Sequence, residues 1–181
     1  MSRAALPISA AIALSEPHAG MSSAMSSGLV TLRSRLDHTW ANSRGELTVP
    51  YYTAAFDLGI DALKQVIGID AAYRLAAQRS TVALEAHLVI HAAVPIEAEV
   101  VIESRIVDCD AKRLHVAQAL HCGPGCAATR ESMTISFDLA ARRSCPFEAA
   151  VMGRIATLFE AQRTLPPHAG TAHLLGLGRV P

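Results

Sequence analysis

The alternation of apolar and polar residues divides the 181-residue chain into predicted strands and helices. Residues 29–36 alternate in the way of a strand, whereas from residue 48 to residue 66 the apolar positions recur at helical spacing. Thr48 can cap this helix, Pro50 falls in its first turn, where a missing N–H costs little, and Gly68 follows as a stop. The longest predicted element is therefore a helix of about 18 residues, roughly 27 Å long.

A run of strands follows this helix. Residues 70–78 indicate a short helix, and the next four stretches alternate with period two: 81–92, 99–108, 113–122 and 127–139. Two short turns, at 109–112 and at Gly123-Pro124-Gly125, join the last three as hairpins. Residues 147–163 return to helical spacing. This order predicts an α+β domain: a curved antiparallel sheet of about five to six strands wrapped around one long helix, plus a C-terminal helix.

The two ends of the chain differ in composition from the predicted domain, which covers residues 29–165. Residues 1–28 are rich in Ala and Ser and are predicted to be a disordered or mistranslated extension, since a secretory signal needs more positive charge and a longer apolar core. Residues 166–181 are rich in Pro and Gly and are predicted to be a loose tail. One helix leaves a face or edge of the sheet poorly covered, which predicts a homodimer or a dimer of dimers.

Charge and cysteine content narrow the functional classes. Acidic and basic residues balance at 16 each, which argues against nucleic acid and acidic membranes as partners. No apolar run reaches the roughly 18 residues of a membrane span, so we expect a soluble protein. The four cysteines, at positions 109, 122, 126 and 145, form no CxxC pair and lack a second ligand cluster. We therefore expect no metal site and free thiols in a reducing cytoplasm.

Four stretches together carry a resemblance to a known family. They are WANSRGELTVPYY (40–52) with AAFDLGIDAL (54–63), LEAHL (84–88), DCDAKRLHV (108–116) and ATRESMTISFDLAARRSCPF (128–147). The chain resembles the hotdog-fold acyl-CoA thioesterases of the 4-hydroxybenzoyl-CoA thioesterase type, with the betainyl-CoA thioesterase branch most similar. The resemblance implies a hotdog fold and hydrolysis of a small or medium acyl-CoA. Coenzyme A would enter only as part of the substrate, and no other cofactor is implied.

In such thioesterases the first stretch typically has the pattern Trp-x-Asp-x-Asn-Gly-His-Met before a helix that opens with a tyrosine pair. The pattern aligns with residues 40–52 without gaps. The acidic residue that acts on the thioester falls on Asn42, the asparagine on Arg44, and the glycine on Gly45. The histidine falls on Glu46 and the methionine on Leu47. The frame is kept, while three of its polar positions are changed.

Thioester hydrolysis needs an attacking water and N–H groups that stabilise an oxyanion, here at a helix start. Gly45 and the backbone of Glu46 and Leu47 can supply the polarising end. Asn42 is not basic, but it can hold a water or a carbonyl by hydrogen bonds. Glu46 restores one carboxylate, although the helix dipole favours its ionised form and lowers its basicity unless burial offsets that effect.

Glu85 is a second candidate acid, on the polar face of a presumed central strand, with His87 two residues further on. The resemblance places this region near the substrate channel, where an acid could orient water or pair with a cationic acyl group such as betaine. The alternative is a hydrogen-bonded pair on a half-exposed strand face.

Two basic pairs are open to two interpretations. Lys112 and Arg113 either contact the phosphates of coenzyme A at the channel mouth or form an ordinary solvated turn. Arg142 and Arg143 have the same ambiguity. Tyr52 opens the long helix, where a tyrosine more often packs than contacts ligand.

The leading hypothesis is a dimeric hotdog acyl-CoA thioesterase in which water attacks at a helix N-terminus. The rival is a hotdog protein that binds acyl-CoA or another small ligand without hydrolysis, and a third possibility is a subunit that binds only a protein partner. The candidate catalytic residues are Asn42, Glu46 and Glu85. The candidate substrate-binding residues are Arg44, Gly45, Leu47, Tyr52, His87, Lys112 and Arg113.

Overall fold

The computed structural model describes residues 28–166 together with Leu175 and Leu177. The expectations for residues 1–27, and for most of the tail predicted after residue 165, lie outside the described residues. The predicted α+β architecture is confirmed: a curled antiparallel sheet holds one long helix on one face, and a C-terminal helix follows the last strands. In chain order the elements are β1 (Leu29–Arg35), α1 (Val49–Val66), α2 (Ala71–Ala77), β2 (Arg79–Ile90), β3 (Glu99–Cys109), β4 (Arg113–Cys122), β5 (Gly125–Asp138), β6 (Arg143–Ser144) and α3 (Ala149–Gln162). A 3-10 turn, His38–Trp40, precedes α1.

The strands lie in the order β1-β3-β4-β5-β2, and the two-residue β6 pairs with β5. Within one chain the strand that carries Glu85 is therefore an edge strand and not the central strand that the sequence analysis presumed. Period two along a strand shows which residues share a face, but it carries no information on which strand lies beside which. Here the chain leaves α2 at the far edge of the sheet, so β2 pairs with β5 and with no other described strand.

The long helix α1 buries its apolar stripe against the sheet in two clusters. Its first half packs Tyr52 and Phe56 against Ile102 and Leu120. Its second half packs Ile60 and Leu63 against strand residues and against α3, with the members Ile60, Leu63, Ile67, Ile69, Ile106, Leu114, Val116, Phe147, Val151 and Ile155. Each such side chain contributes about 1.5–3 kcal/mol when fully buried, which makes this packing the main source of stability.

A chain of polar side chains crosses the same face of the sheet, through the middle of this apolar contact. The hydroxyls of Thr31 and Ser104 lie 2.8 Å apart, and Gln118 Nε2 donates to Ser104 Oγ at 3.0 Å. Arg130 Nε then donates to Gln118 Oε1 at 3.1 Å. All four residues are buried. We call Thr31, Ser104, Gln118 and Arg130 the polar ladder.

The polar ladder also binds α1. Gln118 Nε2 donates to the carbonyl oxygen of Phe56 at 3.1 Å, and Arg130 donates to Asp57 Oδ1 at 2.7 Å. Because a buried donor without a partner costs about 1–3 kcal/mol, each of these bonds holds the helix at one position on the sheet. The helix start, and the loop before it, are placed by these bonds.

Gly59 allows α1 to approach the sheet at the polar ladder. A Cβ atom at this position would lie 2.8 Å from Gln118 Nε2, 3.0 Å from Ile102 Cγ2 and 3.1 Å from Thr31 Oγ1. Glycine inside a helix costs roughly 0.5–1 kcal/mol relative to alanine, but here it is required by the close contact.

The helix α3 completes the edge of β3 where β1 has ended. The side-chain amide of Gln162 accepts from Ile106 N at 2.9 Å and donates to Ser104 O at 3.3 Å. The amide thereby takes the two hydrogen-bonding positions that a neighbouring strand would fill.

Substitution of Gly59 by alanine is expected to destabilise the protein despite the gain in helix propensity. Gln118 Nε2 cannot move away without losing its bonds to Phe56 and Ser104, so we expect a net loss of about 1–2 kcal/mol from overpacking. The control is Gly153→Ala in α3, where a Cβ meets nothing within 4 Å. That variant is expected to be more stable by about 0.4–1 kcal/mol. Urea unfolding of both variants measures the difference, and a stabilised Gly59→Ala protein would refute the close contact.

Candidate active site

The loop before α1 is a closed turn that we call the site loop (residues 41–47). Ala41 and Leu47 form an antiparallel bridge across its base. Within it, Asn42 N donates to Glu46 O at 2.8 Å and Gly45 N donates to Asn42 O at 3.0 Å. Gly45 has a φ of +73°, in the left-handed region that favours glycine, so this position in the motif is explained by backbone geometry.

The site loop is tied to the segment that follows β2. Leu47 N donates to Val94 O, and Ile96 N donates to Gly45 O, both at 2.9 Å. The loop is therefore held on both sides by backbone bonds.

Three aromatic residues hold the start of α1 in place. The rings of Trp40 and Tyr51 stack at 5.0 Å between centroids with an interplanar angle of 6°. Tyr52 is buried, and its hydroxyl donates to Ala92 O at 3.2 Å. Of the proposed substrate-binding residues, Tyr52 thus has a packing role within one chain. Burial raises the pKa of Tyr52 more than hydrogen bonding lowers it, so this pKa lies above its ordinary value.

Asn42 organises the site loop with both ends of its side-chain amide. Its Oδ1 accepts from the backbone N–H of Arg44 at 2.8 Å and of Glu46 at 3.1 Å. Its Nδ2 donates to Glu46 Oε2 at 3.2 Å. An aspartate here could accept the same two N–H groups, but an ionised one could not donate to Glu46.

The carboxylate of Glu46 is the acid that the structure brings to the site loop. The same Oε2 atom accepts from Arg44 Nε at 2.7 Å. The hydrogen bond from Asn42 and then the one from Arg44 hold the pKa of Glu46 below its ordinary value of 4.5. Since the folded-state pKa is lowered, these bonds stabilise the loop above the ordinary pKa, and the effect is lost as the pH falls through the lowered value. Glu46 is positioned and ionised near neutral pH, at the expense of basicity.

The start of α1 presents the positive end of the helix dipole beside the site loop. Thr48 occupies the N-cap position as predicted, but its side chain makes no capping hydrogen bond. Pro50 lies in the first turn and has no N–H. The N–H groups of Tyr51 and Tyr52 both donate to Thr48 O. The N–H groups of residues 45–47, which the sequence analysis assigned to the polarising end, donate to Asn42 O, Asn42 Oδ1 and Val94 O. What the start of α1 offers a bound carbonyl is therefore the positive end of the helix dipole.

Glu85 and His87 lie on the face of the sheet turned away from α1. In the register of β2 and β5, Glu85 is opposite Met133 and His87 is opposite Glu131. Arg130 points toward α1, where it binds Asp57. Because side chains alternate along a strand, Glu131 and Met133 point the other way, and so do the residues opposite them. Both side chains are exposed. Within one chain the sheet separates them from the site loop, so the structure does not bring Glu85 and Glu46 together.

Lys112 and Arg113 lie at the other end of α1 from the site loop. Lys112 lies in the β3–β4 turn and Arg113 begins β4, whose next residue, Leu114, packs with the C-terminal half of α1. The helix spans about 27 Å, so these cations are distant from the site loop of the same chain. Arg113 pairs with Asp110 at 2.7 Å, and burial raises the pKa of Asp110 less than hydrogen bonds from the turn lower it. Lys112 is exposed.

The same end of the sheet holds further arginines. Arg79 begins β2 and lies opposite Asp138 of β5 in the sheet. Arg143 of β6 lies opposite Asp138 on the other side of β5. Arg79 binds Glu148 at 3.2 Å, and Arg142 and Arg143 are exposed. We call Arg79, Lys112, Arg113, Arg142 and Arg143 the far-end cations.

Sequence reasoning missed the pair of Asp57 and Arg130, in which a buried guanidinium binds an exposed carboxylate. The available signal was an arginine at an α1-facing position of a buried strand, where an unpaired cation is rarely tolerated. Burial lowers the pKa of Arg130, while Asp57 opposes that effect.

The face away from α1 also carries two buried histidine–carboxylate pairs. His115 Nε2 lies 3.3 Å from Glu131 Oε2, which also accepts from Leu175 N, and His121 Nε2 lies 3.6 Å from Glu103 Oε2. In residues 28–166 with Leu175 and Leu177, no three His, Cys, Asp or Glu side chains are grouped to hold a metal ion. None of the described helices is long and apolar enough to span a membrane.

Comparison with known proteins identifies the family. The thioesterase-like superfamily profile matches residues 36–155. The chain is 36% identical over 158 residues to the betainyl-CoA thioesterase of Pseudomonas aeruginosa. The aligned region covers 86% of this chain and 99% of that relative. It is 33% identical over 134 residues to the L-carnitine dehydrogenase/betainyl-CoA thioesterase of Agrobacterium fabrum, covering 73% of this chain and 28% of that longer protein. The chain therefore belongs to the thioesterase-like superfamily, as the resemblance predicted.

Solved structures agree on the fold. A hypothetical protein from Staphylococcus aureus, solved in complex with CoA, superposes with a TM-score of 0.74 at 22% identity and covers 86% of this chain and 100% of its own. A thioesterase from Thermus thermophilus, complexed with coenzyme A and Zn, gives a TM-score of 0.65 at 17% identity, over 75% of this chain and 98% of its own. The predicted hotdog fold is confirmed.

Removal of the Asn42 amide is expected to raise the pKa of Glu46 toward its ordinary value. The hydrogen bond from Asn42 is the largest single cause of the lowering, and Arg44 adds a second hydrogen bond and its charge, so Asn42→Ala and Arg44→Ala should each raise this pKa. An NMR titration of the Glu46 carboxyl carbon measures both. An unchanged pKa in Asn42→Ala would show that the Asn42 amide does not hold the carboxylate.

Proposed function

We propose that this protein hydrolyses acyl-CoA thioesters at the start of α1. The observation that carries the proposal is the site loop, in which the Gly45 turn, the helix start and an anchored carboxylate lie together. Membership of the thioesterase-like superfamily and the 36% identity to a betainyl-CoA thioesterase over nearly its whole length support it.

The positive end of the α1 dipole polarises the thioester carbonyl and stabilises the oxyanion that forms when water attacks. Asn42 and Glu46 hold the attacking water, and the Glu46 carboxylate accepts its proton. The tetrahedral intermediate then collapses with loss of the coenzyme A thiolate. Because the pKa of Glu46 is lowered, its ionised form persists throughout the neutral range, and the rate should not depend on its titration at neutral pH.

The acyl group we propose to test first is betainyl, because the relative that matches over its whole length is named for it. Short neutral acyl groups complete the set.

The four cysteines are free thiols, which suits a reducing compartment, and we place the protein in the cytoplasm.

We also propose that the protein is a homodimer that pairs along β2. This edge strand is 12 residues long and is exposed on both faces between Leu84 and His87. Val82, Leu84 and Ile90 are 41%, 57% and 39% exposed. An uncovered apolar edge of this length invites pairing, and a second copy in antiparallel orientation closes it.

Antiparallel pairing would bring the far-end cations of the partner to the site loop. The C-terminal end of β2 lies beside the site loop, near the contact of Tyr52 with Ala92, and its N-terminal end begins at Arg79. The two-fold reverses the partner, so its cationic end adjoins the loop of this chain. We propose that these cations bind the phosphates of coenzyme A, which explains why Lys112 is remote from the site loop of its own chain.

Glu46→Gln is expected to lower kcat for acyl-CoA hydrolysis by about 10²–10⁴-fold, the usual contribution of a general base. Thiol release from a panel led by betainyl-CoA measures the effect. The control is Glu160→Gln, an exposed α3 carboxylate paired with Arg163, which should leave the rate unchanged. An unaltered rate in Glu46→Gln would remove Glu46 from the mechanism.

The rival function, binding without hydrolysis, gives a different result in the same panel. Acyl-CoA would then raise the melting temperature of the wild-type protein without releasing thiol.

Asn42→Asp is the informative variant for the leading function. It places a second carboxylate against Glu46 Oε2, and the like charges raise the pKa of one of them, so hydrolysis should become faster.

Arg143→Gln is expected to raise KM about tenfold for acyl-CoA, through loss of a charge-assisted phosphate contact. The KM for the same acyl group on pantetheine, which lacks the nucleotide phosphates, should be unchanged. Arg163→Gln on the C-terminal side of α3 is the matched control. Equal effects on both substrates would assign Arg143 a structural role.

A further inference from the structure

One flank of α1 carries a carboxylate that the site loop does not use. Asp57 lies about two turns past the start of α1 and pairs with Arg130 of β5, which also donates to the carbonyl oxygen of Thr53 at 3.4 Å. The opposite flank of the helix, at Gly59, lies against Thr31 of β1. The Asp57 flank is therefore the one that faces β5 and the edge strand β2 beyond it.

Small and polar side chains bound the space beside this flank. Ser132 of β5 faces α1, because it is opposite Val116, which packs with the helix. On its other side Ser132 is opposite Ala86 of β2, which has only a methyl group and is exposed. We call Asp57, Arg130, Ser132 and Ala86 the flank groove. The groove opens to solvent at the β2 edge.

Two observations indicate that the flank groove receives a charged or polar group of a ligand. The Ser132 hydroxyl is buried and has no hydrogen-bond partner in the part of the chain that the structure describes. The guanidinium of Arg130 is 5% exposed, whereas the Asp57 carboxylate bound to it is 65% exposed. The ion pair is thus oriented with its negative end toward the groove, and a pair oriented in this way attracts a cation that enters there.

The flank that leads to the groove begins at the start of α1. Val49, the first residue of the helix, is 60% exposed and lies on the same flank as Thr53 and Asp57, since residues four apart on a helix are neighbours on one face. A thioester carbonyl at the helix start can extend its acyl group along this flank. The flank is apolar at Val49 and anionic at Asp57, which fits an aliphatic acyl group that ends in a cation.

The other candidate acids are less suited to bind such a cation. Glu85 lies on the opposite face of the sheet, and Glu46 is held in the site loop, where the proposed mechanism uses it as the base. Asp61, one turn further along α1, pairs with Lys64 of the same helix. Asp57 is therefore the acid that lies on the flank between the helix start and the groove.

We propose that Asp57 binds the positive charge of an acyl group that ends in a quaternary ammonium, and so selects cationic acyl-CoA substrates over neutral ones. The inference rests on the proposed thioesterase function and names its specificity-determining residue. A quaternary ammonium has no N–H to donate, so its recognition depends on charge and on apolar contact with its methyl groups. Asp57 supplies the charge, Val49 and Ala86 supply the contact, and Arg130 is the positioning residue that fixes the carboxylate.

Two substrates of the same shape test the proposal. Betainyl-CoA and tert-butylacetyl-CoA have isosteric acyl groups, in which a neutral carbon of the second replaces the charged nitrogen of the first. We expect Asp57→Asn to lower kcat/KM for betainyl-CoA about fivefold relative to the neutral isostere, the size of an exposed ion pair. Because both substrates meet the same folded enzyme, a loss of folded protein does not change this ratio.

The matched control is Asp61→Asn, which removes a carboxylate that is 56% exposed from the same helix. In this variant the ratio of the two kcat/KM values should stay at that of the wild type. An unchanged ratio in Asp57→Asn, or an equal fall in Asp61→Asn, would overturn the proposal. Asp57 would then serve only as the partner of the buried Arg130.

The ionic strength gives a second measurement of the same contact. In the wild type the ratio should fall as salt is added, because salt screens the attraction between the carboxylate and the ammonium. The phosphates of coenzyme A are common to both substrates, so their own salt dependence cancels in the ratio. The ratio in Asp57→Asn should depend less on salt, and equal salt dependence in the two proteins would contradict the contact.

Binding without turnover separates this inference from the proposed function. If the wild-type protein releases no thiol from either substrate, calorimetric titration gives the dissociation constants of both thioesters. Asp57→Asn should then weaken the binding of betainyl-CoA about fivefold relative to the neutral isostere. In that case hydrolysis would fail as the function while the selection of cationic acyl groups stands. Equal dissociation constants of the two thioesters in the wild type would overturn the inference as well.

Discussion

The hydrogen bond from the Gln118 side chain to the Phe56 carbonyl is the contact on which the position of α1 depends. Apolar packing holds a helix on a sheet without choosing one exact position along it, because the hydrophobic effect is non-directional. Directional bonds from Gln118 and Arg130 to the helix backbone and to Asp57 remove that freedom. Gly59 permits the approach that those bonds need. A helix placed in this way holds its first turn, and with it the site loop, at one end of the sheet.

The site loop shows a conflict between organisation and reactivity. Asn42 satisfies two backbone N–H groups and one carboxylate oxygen, which closes the loop around Glu46. The same bonds stabilise the ionised carboxylate and reduce its basicity. A carboxylate held in this way is fixed in position and ionised, while its lowered basicity limits how strongly it can draw a proton from water.

The sequence predicted the helices and strands correctly, but it did not predict which elements lie next to one another. The spacing of apolar residues located α1 and the five long strands, and Thr48 was correctly placed at the N-cap position. The same pattern grouped Glu85 with His87 on one face, yet it could not show that this face is turned away from α1. It also could not show that Lys112 lies a helix length from the site loop. Periodicity is a local property, whereas strand order and facing are set by which elements pack together.

The sequence alone determined the fold class, the family and the frame of the site loop, since these follow from period, turn residues and a gapless motif. Only the tertiary structure decided that the Asn42 amide donates to the Glu46 carboxylate and that Arg130 forms an ion pair with Asp57. It also decided that Glu85 lies on the edge strand of the sheet. These outcomes depend on how the chain closes its turns and on contacts between residues that are far apart in the sequence or on opposite sides of a sheet. A single sequence specifies such contacts through the free energy of the whole packed domain, and no short stretch of it carries them.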